Sequence, residues 1–288
     1  MYRLQIPFFA SVCMLVLLTA LTIFARGQDE EKGLLQVTFF DVGQGDATFI
    51  ESPSGTQVLI DGGKGDRVLS SLHTAMGFFD TDIDMVVATH PDMDHIGGLI
   101  DVLKKYTVHT ILMTENMSDT PAFQMFLEKV KEEGAEVRYA RRGQVYDLGF
   151  GVQGSTTLTI LFPDHDPSGL ESNTASVVAR LVYGESEYML TGDLPKEIET
   201  YLVSLGTSTL TSDVLKVGHH GSRTSSAETF ITAVHPLYAI ISSGKDNTYG
   251  HPHKEVTDLL TVHNIQQKNT ADEGSIRTFS DGNVLWFK

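Results

Sequence analysis

The chain has 288 residues, 41% of them hydrophobic, with 37 acidic against 21 basic side chains for a net charge of −16, and a single cysteine. That content marks a globular chain able to bury one large core or two modest ones. A surface this acidic repels nucleic acid and anionic lipid at long range, and one cysteine excludes both a disulfide framework and a thiolate metal cluster.

The first feature in chain order is an uncharged run from Leu4 to Ala25, LQIPFFASVCMLVLLTALTIFA. Its 22 residues, at ~1.5 Å each, are long enough to cross a hydrocarbon core of about 30 Å. Residues 1–27 are therefore expected to be a signal anchor or a cleaved signal peptide, with Ala25 and Gly27 small enough for a cut after Gly27. The only cysteine, Cys13, lies in the middle of this run. Arg3 before the run and the acids Asp29, Glu30 and Glu31 after it place the remainder outside the cytoplasm, anchored or secreted.

Beyond it, LLQVTFFDV, DATFIE and TQVLIDGG read as an antiparallel meander at 34–63, with GQG and PSG as its turns. Strands and helices then alternate: DRVLSSLHTAM helical, IDMVVAT a buried strand, GLIDVLKKY a helix, HTILMT a strand, TPAFQMFLEKVKEEG a helix and AEVRYA a strand. A second half follows the same order. It has strands TTLTILF, SVVARLVY and SEYMLTGD, a helix at 195–205, the strand DVLKVG, a helix at 225–234, the strand LYAIISS, the helix PHKEVTDLLTVH and closing strands GSIRTFS and NVLWFK. No linker separates the halves, so residues 34–288 are expected to form one α/β domain of two sheets with helices on both outer faces.

In α/β sheets ligands sit beyond the carboxyl ends of the strands. At that end of IDMVVAT stands THPDMDHIGG, residues 89–98, where His90 and Asp92 can converge on one point and Asp94 and His95 on a second. Gly97 and Gly98 let the following helix start approach closely. Asp61 ends TQVLIDGG, Asp193 ends SEYMLTGD, and His219 and His220 end DVLKVGHHGS, each beside a glycine. Four strand ends thus aim acids and imidazoles at one rim, a choice of residues that turn chemistry alone does not require. The loop SSGKDNTYGHPHKE at 242–255 reaches the same rim, and Lys245, Asn247, Tyr249, His251 and His253 are candidates for contacting an anionic substrate.

THPDMDHIGG resembles the metal loop of the metallo-β-lactamase superfamily, with Asp92 in the place of its second histidine. Together with FFDVGQGDATFI, VLIDGG, LTGD and KVGHHGS, it is similar to the hydrolase domain of ComEC-type DNA-uptake proteins over nearly all of 34–288. The resemblance implies a four-layer αββα sandwich, preceded here by the one hydrophobic segment, and a centre of two divalent ions. His90 and Asp92 would bind the first ion, Asp94 and His95 the second, and Asp193 both. His220, or its neighbour His219, would complete the second position, and Asn173 stands where the superfamily commonly has a histidine. Oxygen-rich ligands favour manganese, iron or magnesium, while zinc also accepts carboxylates and imidazoles.

A dinuclear centre of this kind activates water and stabilises the oxygens of a transition state. Asp94 and Asp61 would work beside it, Asp61 by orienting a ligand or the water, and His219 would donate to a phosphoryl or leaving oxygen. The expected activity is extracytoplasmic cleavage of phosphodiesters, with single-stranded DNA as the polymer the resemblance points to. Hydrolysis of another ester, a lactone or a thioester is the alternative, and an inactive binding protein a third class. Retention of His90, Asp94, His95, Asp193 and the histidine pair argues against that third class, and Asp92 argues against a β-lactamase.

Overall fold

In a computed structural model of the protein, residues 13–14, 32–77 and 79–288 are described. The expected amino-terminal segment, 1–27, lies outside them apart from Cys13 and Met14. Among the described residues no helix is long and apolar enough to cross a membrane.

The chain builds two sheets by repeating one plan, an antiparallel meander that continues into parallel βα units. In the first half β1 (Leu35–Phe39), β2 (Thr48–Glu51) and β3 (Gln57–Ile60) form the meander, and β4 (Asp82–Ala88), β5 (Thr107–Met113) and β6 (Glu136–Tyr139) add in parallel. Helices α1 (Arg67–Met76), α2 (Met93–Val102) and α3 (Pro121–Glu133) make the crossovers. In the second half β7 (Val145–Gly151), β8 (Gly154–Phe162), β9 (Val178–Tyr183) and β10 (Ser186–Leu190) form the meander. Strands β11 (Val214–Lys216), β12 (Tyr238–Ile241) and β13 (Gln266–Asn269) follow in parallel, joined by α4 (Lys196–Leu205), α5 (Glu228–Val234) and α6 (Lys254–Val262). After the short α7 (Thr270–Glu273), β14 (Ile276–Ser280) and β15 (Leu285–Phe287) return to the first sheet, where β14 pairs with β1. The sheets run β15-β14-β1-β2-β3-β4-β5-β6 and β13-β12-β11-β10-β9-β8-β7.

Alternation along the strands explains the layers. In β4, Met85 and Val87 face the other sheet, in a core with Phe39, Ile50, Leu112, Ile160, Leu181 and Tyr188. Val86 and Ala88 face outward to Leu72, Leu99, Phe123 and Phe126 of the three helices. On the far side Met189, Leu215 and Ile241 pack against Leu202, Phe230, Ile231 and Leu260. Three apolar layers between four layers of elements give the αββα arrangement expected from the sequence.

Three elements were not anticipated: β7, β13 and α7. A fourth difference is the start of α2, five residues before the expected GLIDVLKKY, which brings Met93, Asp94 and His95 into its first turn with Asp92 at the N-cap position. The glycine pair, expected to let the helix start approach closely, lies inside the helix at such an approach. A Cβ on Gly98 would stand 1.9 Å from the carbonyl oxygen of Gly62, and one on Gly97 2.3 Å from that of Lys64. Gly98 N–H donates to Gly63 O at 2.8 Å and Gly62 N–H to His95 O at 2.7 Å, tying the end of β3 to the start of α2.

A buried acid ties the second helical layer together. Glu199 of α4, 1% exposed, accepts from the backbone N–H groups of Ser226 and Ala227 and so serves the start of α5. Burial pushes its carboxyl up to about 7 despite these two bonds. Between the ordinary value near 4.5 and about 7, the folded chain binds the proton more tightly than the unfolded chain, so this residue's contribution falls as pH rises through that window. Unfolding free energies from urea titrations should fall further from pH 5 to pH 8 in the wild type than in Glu199→Gln, by up to roughly 3 kcal/mol. Parallel trends would show that Glu199 does not titrate there.

Candidate metal centre

The rim where the two sheets' parallel strands end collects the functional side chains. Asp61 follows β3, with its backbone at φ +59°. Its Oδ1 accepts from Thr89 N–H at 2.9 Å, and its Oδ2 accepts from Thr89 Oγ1 and His95 Nδ1, both at 2.7 Å. With the Thr89 hydroxyl proton committed to Asp61, that oxygen accepts from His90 Nδ1 at 3.0 Å. Asp61 therefore fixes both imidazoles of the loop with their Nε2 lone pairs turned to the rim, directly for His95 and through a hydroxyl for His90.

The histidine pair after β11 sits in a tight turn, His219 at φ +48° and His220 at φ +54°, conformations uncommon for non-glycine residues. His220 Nδ1 faces two acceptors, Asp46 Oδ1 at 3.1 Å and the Ser242 carbonyl at 3.0 Å, so it carries the proton and leaves Nε2 as a lone pair. This Nε2 lies 3.4 Å from both Asp94 Oδ2 and Asp193 Oδ2. His219 is 26% exposed, with Nε2 3.8 Å from Asp193 Oδ2 and Nδ1 held by Thr224 Oγ1 at 3.0 Å and the Asn173 amide nitrogen at 3.4 Å. Of the two, His220 has the ligand's geometry.

Asp193 lies at the centre. Its Oδ1 is 3.2 Å from His95 Nε2, and its Oδ2 is 4.0 Å from His90 Nε2. Asp92 Oδ2 is 3.7 Å from His90 Nε2, and Asp92 Oδ1 accepts from Ser172 Oγ at 2.6 Å. The cation test is decided by what these atoms lack. Nε2 of His90, His95 and His220 and Oδ1 of Asp193 are buried without a hydrogen-bond partner, and so is Asn173 Oδ1. Native interiors rarely leave such groups unmet, and here they cluster. The field agrees: Asp193 and Asp61 outweigh burial and hold His95 well above the usual histidine range, as Asp193 and Asp46 do for His220. His90 is pushed down by burial and by His95. Histidine lone pairs and carboxylate oxygens with no other partner fit two divalent ions.

Asp46, at the amino-terminal end of β2, is the residue that the sequence reading missed. Its carboxylate lies with His95, Asp193 and His220 in a group whose ligating atoms are all within 4.8 Å of one another. Both of its oxygens are already engaged, however, Oδ2 with Lys216 Nζ at 2.7 Å and Oδ1 with His220 Nδ1. Binding an ion there would strand a buried ammonium, so Asp46 acts behind His220 as Asp61 acts behind His95. A lysine in the apolar strand DVLKVG was the available signal, since a buried ammonium requires an anion nearby.

A cleft of about 160 Å³ opens over the centre, lined by Asp92, Asp94, Asp193, His219 and His220, with Gln44, Tyr249 and His251 at its mouth. Of the five residues expected to contact substrate, Tyr249 and His251 reach it. Burial, then His220 and His219, push His251 down to about 4, so it is neutral at physiological pH. The other three do not line it. Asn247 spends its amide on Gly244 O and His251 O and its oxygen on His251 N–H, which shapes the loop. His253 stands at the N-cap position of α6, and its Nδ1 accepts from Arg223 N–H at 3.1 Å. Lys245 is exposed outside the cleft lining. Gln44, not anticipated, accepts from Gly244 N–H at 3.1 Å and approaches His251 Nδ1 at 3.4 Å, clasping the loop.

The profile of the metallo-beta-lactamase superfamily matches residues 40–245. Among curated proteins, the chain is 34% identical over 264 residues to ComE operon protein 3 of Bacillus subtilis (strain 168), covering 84% of this chain and 32% of that protein. It is 30% identical over 263 residues to competence protein ComA of Neisseria gonorrhoeae, covering 91% of this chain and 35% of that one. The chain thus spans about a third of the length of these relatives. Among solved structures, CmlA, a diiron β-hydroxylase from Streptomyces venezuelae, is similar at a TM-score of 0.52 and 14% identity, covering 82% of this chain and 52% of that one. That last likeness is one of fold.

Proposed function

Because the chain belongs to the metallo-β-lactamase superfamily, we propose that it is a hydrolase of phosphodiesters working at two divalent cations. One cation is held by His90, Asp92 and Asp193, and the other by Asp94, His95, His220 and Asp193. The observation that carries this is the set of buried partnerless atoms, Nε2 of three histidines and Oδ1 of Asp193, facing one another beneath an open cleft. The oxygen-rich ligand set, with Asp92 beside His90, favours manganese over zinc. Phosphodiester chemistry is supported by that hardness and by the relatives' names, which are those of competence proteins.

The ions, when bound, supply a nucleophilic water at neutral pH and neutralise charge on the phosphoryl oxygens. The chain does the rest. Asp61 and Asp46 hold His95 and His220 in one tautomer and orientation. Asp94, 31% exposed at the cleft and held low by His220 and His95 against burial, would stay ionised to hold the second cation and orient the water beside it. Nε2 of His219, steadied from behind by Thr224 and Asn173, donates to the leaving oxygen. Tyr249 and His251 stand where they would contact the substrate at the mouth, and single-stranded DNA is the first polymer to try. The segment at 1–27 would carry this domain to the outer face of a membrane as an anchor or a secretion signal.

Hydrolysis of bis-p-nitrophenyl phosphate tests the reading. Turnover should cease on chelation and return with added manganese or zinc. Turnover that persists after both ions are shown to be gone contradicts it.

A further inference from the structure

The imidazoles at the rim are not backed alike. His95 donates from Nδ1 to the Asp61 carboxylate at 2.7 Å, and His220 to the Asp46 carboxylate at 3.1 Å. Behind His90 stand only hydroxyls, Thr89 Oγ1 at 3.0 Å and Ser176 Oγ at 3.4 Å. A carboxylate behind an imidazole makes the far nitrogen a better donor to a cation than a hydroxyl does. The surroundings differ in the same sense. His90 is as buried as His95 and His220, but the carboxylate beside it, that of Asp92, is 46% exposed and accepts from Ser172 Oγ, against 31% for Asp94 beside His220.

The Asp46 support is itself braced. Lys216, 2% exposed, donates from Nζ to Asp46 Oδ2 at 2.7 Å and to the Val217 carbonyl at 3.0 Å. The ammonium offsets the cost of burying the carboxylate and occupies its second oxygen, so the first stays on His220. Neither residue lines the cleft.

Resting on the reading of the rim as a two-cation centre, we propose that its positions fill in order. The position of Asp94, His95, His220 and Asp193 binds first and keeps its ion. The position of His90, Asp92 and Asp193 exchanges with solvent. Asp46 and Lys216 are the positioning residues that make the first position tight. The exchangeable ion is the one that a change in external metal supply would add or remove.

Equilibrium dialysis of the chelator-stripped full chain against Mn²⁺, with electron paramagnetic resonance of the bound ion, reads this without any substrate. Two classes differing at least about 10-fold in Kd are expected. Asp46→Asn should weaken the tight class about 10- to 100-fold and leave the loose class within about twofold. Because that change leaves the Lys216 ammonium unpaired, the double variant Asp46→Asn/Lys216→Met should show the same loss in a protein with no stranded charge. Asp92→Asn should abolish the loose class alone. Two equal classes, a loose class weakened by the Asp46 variants, or a tight class emptied by Asp92→Asn would each overturn the order while leaving the two-cation reading intact. Failure of the wild type to bind Mn²⁺ at all would overturn both.

Discussion

Asp193→Ala should lose close to two equivalents of metal per chain and at least about 10³-fold in phosphodiester turnover, while remaining folded. The argument is geometric. Asp193 Oδ1 lies 3.2 Å from His95 Nε2, and its Oδ2 lies 3.4 Å from His220 Nε2 and 4.0 Å from His90 Nε2, so both proposed cation positions would share this one carboxylate. No other acid at the rim is central in this way. Asp92 is near His90, and Asp94 is near His220. Asp92→Ala should therefore lose about one equivalent. The fold should survive both changes because the apolar layers lie elsewhere, between and outside the sheets. Elemental analysis gives the counts, and full occupancy in Asp193→Ala would remove the shared ligand from the account.

The histidine pair should split in behaviour although its members are adjacent in sequence. His220→Ala deletes a lone pair held in place by Asp46 and Ser242, so metal should be lost and activity with it. His219→Ala leaves every proposed ligand in place. It should keep the metal while turnover falls about 10²- to 10⁴-fold, the range for loss of a positioned acid. Its defect should shrink on substrates with a good leaving group such as p-nitrophenolate and grow on DNA, whose alkoxide needs the proton. Loss of metal in His219→Ala, or an equal defect on both substrates, would reassign it from donor to ligand.

What the sequence disclosed followed from strand ends. Asp61, His90, Asp92, Asp193 and the pair at 219 and 220 each close a run of apolar residues beside a glycine or proline, and the fold brings those ends to one rim. Asp46 and Lys216 escaped for the opposite reason. Asp46 lies two residues before β2, Lys216 ends β11 within a longer apolar run, and the ion pair between them joins the two sheets across 170 positions of sequence. The missed strands are disguised in different ways. β13 is QQKN, and only its backbone pairing with β12 makes it a strand. β7, VYDLGFG, contains two glycines and a register shift between Asp147 and Phe150, so it reads as a turn. The early start of α2 was hidden because Gly97 and Gly98 look like a break, and only the approach of 62–64 shows why they are helical. The loop at 242–255 was found, but which of its polar side chains turn inward depends on hydrogen bonds made on folding, such as those of Asn247.

The most direct test of the central claim is a comparison on one metal-loaded preparation of the initial rates on bis-p-nitrophenyl phosphate, on single-stranded DNA and on a panel of a lactone, a thioester and nitrocefin. Cleavage of the phosphodiesters, with nitrocefin left intact and all turnover stopped by a chelator, is the predicted result. Faster turnover of any lactone, thioester or β-lactam than of every phosphodiester tried would contradict it.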